Sequence, residues 1–438
     1  MAKSYELDMT KGSILKNVIL YSIPLMLSSI LQILYNAADI VVLGRFAGSG
    51  ALASVGATSS VINLMVNLFI GMALGTSVTI AKAFGAKDYK KGQKLLHTSI
   101  ALSVLFGVIS MLMGVVFSRP ALTLMGTPKE IIDNSVLYMR LYFLGVPASM
   151  IYNFGAMAIR AVGDSKRPLM FLTVSGIVNV ILNLIFVILF KMDVAGVATA
   201  TVISQYVSAI LVLLALIDMK GFCHLDIRKI TLHKEEAGEI LKIGIPAGVQ
   251  SVVFSISNVL VQSSVNSFGP VTVAASSTAS NIENFVYVAV NSGYHTAVTM
   301  TGQNVGAKKV DRVGKGILTC ALFAVVMGLI VGGATAIFSE KLMSIYTTDA
   351  EVIAIGAKRL RLLSVAYILC GLMDTFVGGI RGLGNSVIPM IVAMSGVCGI
   401  RIMWIFTVFK AFHSFTVLLW AYPVSWAVTG LIQLICFL

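Results

Sequence analysis

The sequence predicts an all-α polytopic membrane protein with twelve transmembrane helices, arranged as two parallel six-helix repeats. Three observations predict this class: an apolar composition, twelve separate apolar runs and an internal repeat. Hydrophobic residues fill 57% of the 438 positions and charged residues only 12%, about half the charged share of a soluble domain. A soluble fold turns its surface to water, so this much apolar surface requires a bilayer as solvent.

Twelve apolar runs are long enough to cross the hydrocarbon core of a bilayer, which takes about 20 residues. The predicted spans cover residues 15–43, 52–80, 94–118, 131–158, 168–190, 194–218, 238–266, 272–300, 314–338, 352–379, 386–409 and 415–437. The segment before the first run is polar, and no small-residue cleavage site follows that run. We therefore expect no cleavable signal peptide, and the first run remains as span 1.

The distribution of Lys and Arg between the loops predicts the orientation of the chain. With the N-terminus inside, the inside segments hold 20 of these residues and the outside loops hold 6. Positive residues collect on the cytoplasmic side, which places both termini in the cytoplasm. Topology thereby explains the formal charge of +13, and the expected partner is the lipid bilayer rather than nucleic acid.

An internal repeat divides the chain into two similar halves. A shift of 221 residues places Arg160, Gly163 and Pro168 on Arg381, Gly384 and Pro389, and a shift of 222 near the start pairs Pro24 with Pro246 and Asn36 with Asn258. Six spans is an even number, so both halves enter the membrane in the same direction. This predicts a pseudo-two-fold axis along the membrane normal. The predicted domains are an N-lobe at 1–218, a cytoplasmic linker at 219–236 and a C-lobe at 237–438.

Polar side chains recur at membrane depth on single helix faces. Gln32, Asn36 and Asp39 of span 1 share one face. The other polar positions are Asn63 and Asn67 in span 2, Asn179 and Asn183 in span 5, Thr201 in span 6, and Asn258, Gln262 and Asn266 in span 7. In hydrocarbon such groups need a partner or a water-filled cavity. Hydrogen bonds between helices and cavity lining both remain open for the amides.

Three carboxylates lie more than three residues from the ends of the predicted spans: Asp39, Glu283 and Asp374. An ionised Asp at the bilayer centre costs roughly 2.5–3.5 kcal/mol on insertion scales. Asp39 continues a polar stripe, which favours a functional role. Glu283 and Asp374 either serve function or form structural ion pairs with Arg401 or Arg361. Arg401 itself is interpreted as structural.

The sequence lacks the patterns of common catalytic and cofactor sites. The five histidines form no metal-binding motif, the five cysteines are scattered singly, and no phosphate-binding Walker loop is present. We therefore expect no enzyme activity, no cofactor and no bound metal apart from a possible Na⁺ at Asp39. A duplicated bundle with an acidic interior favours secondary active transport.

Short motifs in a fixed order carry a resemblance to a known family. They are Leu43-Gly44-Arg45-Phe46, the Gly-Ala-Lys loops that begin at Gly85 and Gly306, and the segments 160–164 and 381–385. With these motifs the chain resembles the multidrug and toxic compound extrusion (MATE) family, bacterial multidrug-efflux branch, over nearly its whole length. The resemblance implies a monomer in the prokaryotic cytoplasmic membrane, with two lobes around a V-shaped cavity.

The resemblance also implies a function and its residues. It implies export of small cationic or amphipathic compounds by alternating access, in antiport with H⁺ or Na⁺. The family's cation site carries onto Asp39, Asn179, Asn183 and Thr201. Asn183 stands where members with a full Na⁺ site tend to have Asp, so H⁺ is favoured. The expected substrate cavity is lined by Gln32, Tyr35, Asn36, Asn63, Asn67, Asn258, Gln262, Glu283 and Asp374.

Two other functions remain as alternatives. A lipid-linked saccharide flippase of the same superfamily would favour more spans and a strongly cationic cavity, whereas this interior is mixed. An intramembrane enzyme or receptor belongs to a different class. An enzyme would need an acid, a base and a nucleophile or metal at one depth, and the sequence offers no such cluster.

Overall fold

The computed structural model describes residues 6–219 and 221–438, where it shows twelve long helices and no strand. The helices are α1 Ile14–Val42, α2 Gly48–Gly85, α3 Tyr89–Leu124, α4 Lys129–Ala161, α5 Lys166–Leu189, α6 Asp193–Asp218, α7 Lys234–Asn266, α8 Pro270–Gly306, α9 Val310–Ile337, α10 Ala350–Gly382, α11 Val387–Phe409 and α12 Phe415–Phe437. Each predicted span falls on one helix, which confirms the fold class. Residues 1–5 and 220, parts of the predicted N-lobe and linker, lie outside the described residues.

Eleven of these helices are both long and apolar enough to cross a membrane, and α8 is the exception. At 37 residues α8 has ample length, since a helix rises 1.5 Å per residue. Its apolar pattern is interrupted by Asn281, Glu283, Asn284 and Asn291. More than half of its residues are buried, because it packs closely on α9 and α10. Neighbouring helices therefore shield much of its polar surface from lipid.

The chain forms two packing units, residues 6–7 with 27–244 and residues 8–26 with 245–438. Both α1 and α7 are thus divided, and the divisions fall beside Pro24 and Pro246. In the second unit the start of α1 is tied to α8: the Tyr21 hydroxyl lies 2.9 Å from the Thr299 hydroxyl. The predicted N-lobe, 1–218, and C-lobe, 237–438, were defined from the sequence repeat, and this division stays a prediction.

The two units repeat one packing pattern. In the first unit α4 packs against α2, α3 and α6, and in the second α10 packs against α8, α9 and α12. These are the helices that the sequence repeat equates. The turn after each central helix also repeats, because Gly163 and Gly384 have φ of +90° and +94°. Only glycine adopts this backbone conformation without strain.

Several helices contain π-helical turns, in which the backbone hydrogen bonds skip one extra residue. The turn Leu43–Ala47 follows α1, and Ile185–Leu189 closes α5. These two turns contact each other. The helix α11 contains two more, Met394–Gly399 and Ile405–Phe409. Such turns are rare and concentrate at functional sites, so they direct attention to the polar residues beside them.

Candidate functional site

The first unit brings together three of the predicted coupling residues. Asn183 Nδ2 donates a hydrogen bond to Asp39 Oδ1 at 2.5 Å, across the contact between α5 and α1. The same nitrogen lies 3.3 Å from Asn179 Oδ1, one turn earlier on α5. Both asparagines are buried. Asp39, Asn179 and Asn183 therefore form one connected polar group, placed directly before the two touching π-helical turns.

Two buried oxygen atoms, one within this group and one on α6, have no hydrogen-bond partner in the described part of the chain. They are Asn183 Oδ1 and the Thr201 hydroxyl on α6, and both atoms are buried. A buried acceptor without a hydrogen bond lowers the free energy of unfolding by about 1–3 kcal/mol. In native proteins such an atom therefore normally has a hydrogen-bond partner. Thr201 makes no hydrogen bond to Asp39 or to either asparagine here. Its free oxygen is available to a proton carrier, a water molecule or a cation.

Asp39 has no cationic partner among the residues that the structure describes. Among residues 6–219 and 221–438 its one hydrogen-bond partner is the neutral amide of Asn183, and no Lys or Arg forms an ion pair with it. A half-buried carboxylate within a membrane span is unfavourable without a counter-charge. The group is stabilised either by gaining a proton or by attracting a cation. This choice between two partners is the chemistry that an exchanger needs.

Three residues around Asp39 were missed by the sequence analysis. Tyr138 and Tyr142 of α4 interact electrostatically with Asp39, and their ring centroids lie 6.2 Å apart. Gln205 follows Thr201 by one turn of α6, and its Oε1 lies against Gly145 of α4, where an added Cβ would stand 2.0 Å away. The spacing of four residues in each pair was the available signal. Tyrosines inside an apolar run are hard to distinguish from ordinary core residues.

Tyr35 fixes α1 against α5 one turn before Asp39. Its hydroxyl donates to the backbone carbonyl of Thr173 at 3.3 Å. Its ring lies on Gly176, where an added Cβ would stand 1.9 Å from ring atom Cζ. The glycine therefore permits the contact. Tyr35, predicted as a cavity residue, is partly buried and helps to position the helix that carries Asp39.

Four predicted cavity amides are exposed and make no hydrogen bond with the described residues. They are Gln32 and Asn36 on α1 and Asn63 and Asn67 on α2. A hydrogen bond between helices was one of the two interpretations left open, and these side chains do not make one. At membrane depth an exposed amide needs water. Their arrangement favours a water-filled space beside α1 and α2.

In the second unit Asp374 takes part in a separate polar group. Asn291 Nδ2 donates to Asp374 Oδ2 at 3.0 Å and lies 3.2 Å from the Tyr287 hydroxyl. Neither predicted cationic partner reaches Asp374, since Arg361 pairs with Glu340 and Arg401 bonds Asn258. Nearby, Arg381 donates to the Tyr294 hydroxyl at 2.5 Å and to Gln250 at 2.8 Å.

Glu283 must be removed from the expected substrate cavity. It is only 2% exposed, and both of its carboxylate oxygens accept from Arg359 at 2.9 Å. Arg359 also donates to Ser276. The structural ion pair was foreseen, but its predicted partners Arg361 and Arg401 were wrong. Two residues along a helix turn the side chain by about 200°, so Arg359 points inwards while Arg361 points outwards.

The polar side chains on one face of α7 already make hydrogen bonds, so they are only partly available to a substrate. Asn258 is exposed, and its Oδ1 accepts from Arg401 Nη1 at 3.0 Å. Gln262 donates to Asn266 at 3.1 Å within the helix. No group of three or more His, Cys, Asp or Glu side chains is placed to hold a metal within the described ranges. The polar side chains of α7 in this unit are therefore amides, and Asp374 of α10 lies in a different polar group, with Asn291.

Comparison with known proteins decides the family. The MatE family model matches residues 24–185 and again residues 246–407. The chain belongs to the MatE family. The two MatE matches begin at Pro24 and Pro246, the prolines that the internal repeat had paired. MatE proteins are transporters, so the prediction that the chain is not an enzyme is confirmed.

MatE relatives extend over nearly the whole chain. The probable multidrug resistance protein YoeA of Bacillus subtilis is 28% identical over 437 residues, covering 97% of this chain and 93% of that protein. The probable multidrug resistance protein NorM of Thermotoga maritima is 25% identical over 411 residues, covering 91% and 86%. A solved structure described as the outward-facing conformation of a multidrug resistance MATE family transporter superposes with a TM-score of 0.92 at 21% identity, covering 98% of this chain and 96% of that one. That likeness establishes the MatE fold.

Proposed function

We propose that this protein is a secondary active multidrug efflux transporter, which exports small cationic amphipathic compounds in exchange for H⁺ by alternating access. The observation that carries the proposal is Asp39, a carboxylate inside a membrane helix that has a neutral amide partner and no counter-charge within the described part of the chain. Membership of the MatE family and the names of the relatives support drug export. The distribution of Lys and Arg supports an orientation with both termini in the cytoplasm, and the monomer in a prokaryotic cytoplasmic membrane belongs to the same proposal.

The chemistry around Asp39 favours H⁺ over Na⁺ as the coupling ion. A hard cation prefers several oxygen ligands, carboxylates above all. Here Asn183 presents N–H rather than oxygen to the carboxylate. An N–H donor stabilises a carboxylate but repels a metal ion at the same position. One carboxylate beside an amide donor therefore suits proton exchange.

Exchange follows from the two states of this carboxyl group. As a carboxylate it attracts a cationic substrate, and protonation from outside removes that attraction and releases the substrate. One H⁺ exchanged for one monovalent cation moves no net charge, so a pH difference drives it. One pH unit supplies about 1.4 kcal/mol, or tenfold accumulation. Pro24 and Pro246, beside the divisions of α1 and α7, are the proposed bending points.

The flippase alternative finds less support. A lipid-linked saccharide carries several negative charges, which call for a cationic interior. The buried Arg359 is neutralised by Glu283, and the exposed cavity candidates of α1 and α2 are amides. A direct test is ethidium retention by cells that lack their own efflux pumps. Expression of this chain should lower retention, and unchanged retention would reject drug export.

Asn183→Asp is expected to make efflux respond to Na⁺. The substitution replaces an N–H donor by a second carboxylate beside Asp39, with Asn179 Oδ1 on the same face of α5, which creates the oxygen-rich site that Na⁺ needs. Ethidium transport into proteoliposomes should then be stimulated several-fold by a Na⁺ gradient, whereas the parent protein should be indifferent.

The matched control for this variant is Asn67→Asp, which adds a carboxylate at an exposed amide of α2 in the same unit. It should leave the response to Na⁺ unchanged. An equal gain of Na⁺ response in both variants, or none in Asn183→Asp, would contradict the proposed role of Asn183 in ion choice.

A further inference from the structure

The second unit contains a buried guanidinium group with no carboxylate beside it. Arg401 of α11 is 5% exposed. Its Nε donates to the Ser425 hydroxyl at 3.2 Å, and its Nη1 donates to Asn258 Oδ1 at 3.0 Å. The rings of Tyr422 and Trp426 flank it, with centroids 4.4 and 5.8 Å from Cζ. The group is built from α7, α11 and α12.

The positive charge of Arg401 is not balanced within the described residues. Its two hydrogen bonds use two of the five N–H donors of a guanidinium, and both acceptors are neutral. No Asp or Glu forms an ion pair with it, in contrast to Arg359, which is neutralised by Glu283. Arginine stays charged in proteins, and a buried charge without a partner is costly. Such an unpaired buried charge is expected where a bound ligand supplies the opposite charge.

The sequence repeat identifies the residues of the first unit that correspond to the residues around Arg401. The shift of 222 that pairs Pro24 with Pro246 places Asn36 on Asn258, and the shift of 221 that pairs Arg160 with Arg381 places Thr201 on Tyr422 and Gln205 on Trp426. In the first unit those positions lie on α1 and α6, the helices that carry Asp39 and Thr201. The position equivalent to Asp39 is Val261, which is apolar and buried. The second unit therefore has no carboxylate at the position of Asp39, and its guanidinium, Arg401, stands at the position of Val180, next to Asn179.

We propose that Arg401, Asn258, Tyr422 and Trp426 bind the carboxylate of a zwitterionic aromatic amphiphile that the protein exports. The planar guanidinium matches the geometry of a carboxylate, and its single charge matches a monoanion better than a diphosphate. Tyr422, Trp426 and Tyr367, whose ring lies 5.0 Å from that of Trp426, suit a flat apolar body. Exposed Asn258 marks the side from which the carboxylate enters. The inference rests on the proposed efflux function and narrows its substrate class.

A pair of dyes that differ only at the carboxyl group tests this site. Rhodamine B has a free carboxylate, and its ethyl ester has none. The parent protein, held in phosphatidylcholine nanodiscs, should bind rhodamine B more tightly than the ester. Arg401→Gln should weaken rhodamine B binding by about ten- to hundredfold, the range expected for a hydrogen bond to a charged group. The ester should change by less than about twofold. Lys410→Gln, which removes an exposed charge from the same end of the chain, should alter neither.

Each result of the dye experiment that contradicts the proposal identifies which part of it is wrong. Equal binding of acid and ester by the parent protein would overturn the anion site, and this result needs no variant. Equal loss of both dyes in a folded Arg401→Gln protein would assign Arg401 a structural role and reject the site. If added phosphatidylglycerol abolished the preference for rhodamine B, a lipid phosphate would be the occupant and the substrate assignment would fall. Ethidium has no carboxylate, so a failure to export ethidium would instead reject the efflux function.

Discussion

Asp39→Asn is expected to reduce proton-driven efflux to the rate of vesicles without protein. The asparagine keeps the size and hydrogen-bonding capacity of the side chain but cannot exchange a proton. Asn183 can still bond the new amide oxygen, so the contact between α1 and α5 is preserved. The protein should therefore reach the membrane in normal amounts and unfold at an unchanged temperature. Loss of transport without loss of fold is the signature of a coupling residue.

The measurement is the initial rate of ethidium transport in proteoliposomes under an imposed pH gradient. Asp133→Asn is the matched control, because Asp133 is an exposed acid of α4 in the same unit. It should transport at the parent rate, since surface ion pairs contribute little. Undiminished transport by Asp39→Asn would remove Asp39 from the mechanism.

Glu283→Gln is expected to cause the largest loss of stability among the substitutions considered. It leaves the Arg359 guanidinium buried without a counter-charge, and breaking a buried pair costs about 3–5 kcal/mol of unfolding free energy. Replacing both partners by apolar residues, as in Glu283→Leu with Arg359→Met, removes the unpaired charge. The double variant should recover most of the loss.

Thermal unfolding in detergent measures these effects, with Glu340→Gln as the control. The pair formed by Glu340 and Arg361 has the same residue types and also involves α10, but both side chains are exposed. Its loss should shift the Tm only slightly. A double variant less stable than Glu283→Gln, or an equal drop for Glu340→Gln, would show that burial of the pair does not set its contribution.

The fold was predictable because apolar length determines membrane helices directly. Even α8 was found, although it is the one of the twelve long helices that is not apolar enough to cross a membrane by composition, because its residues still form one uninterrupted helical length between loops. The partner of Glu283 was not predictable. Arg359 and Arg361 lie two positions apart, and the choice between them depends on the rotation of α10 against α8, which only tertiary packing determines.

The candidate site was predictable in part. Asp39 stood out because Gln32, Asn36 and Asp39 share a helix face, whereas its link to Asn183 on a distant helix came from the family resemblance. Tyr138, Tyr142 and Gln205 were missed because, despite the four-residue spacing, a tyrosine or a single amide in an apolar run is hard to distinguish from an ordinary core residue. Arg401 was interpreted as structural, and the absence of a carboxylate beside it became visible only in three dimensions.

The exchange of protons at Asp39 is tested most directly by transport in proteoliposomes with one gradient imposed at a time. A pH gradient alone should drive ethidium against its own concentration gradient in the parent protein and not in Asp39→Asn, and a Na⁺ gradient alone should drive it in neither. Accumulation under the Na⁺ gradient alone, or none under the pH gradient, would contradict the account.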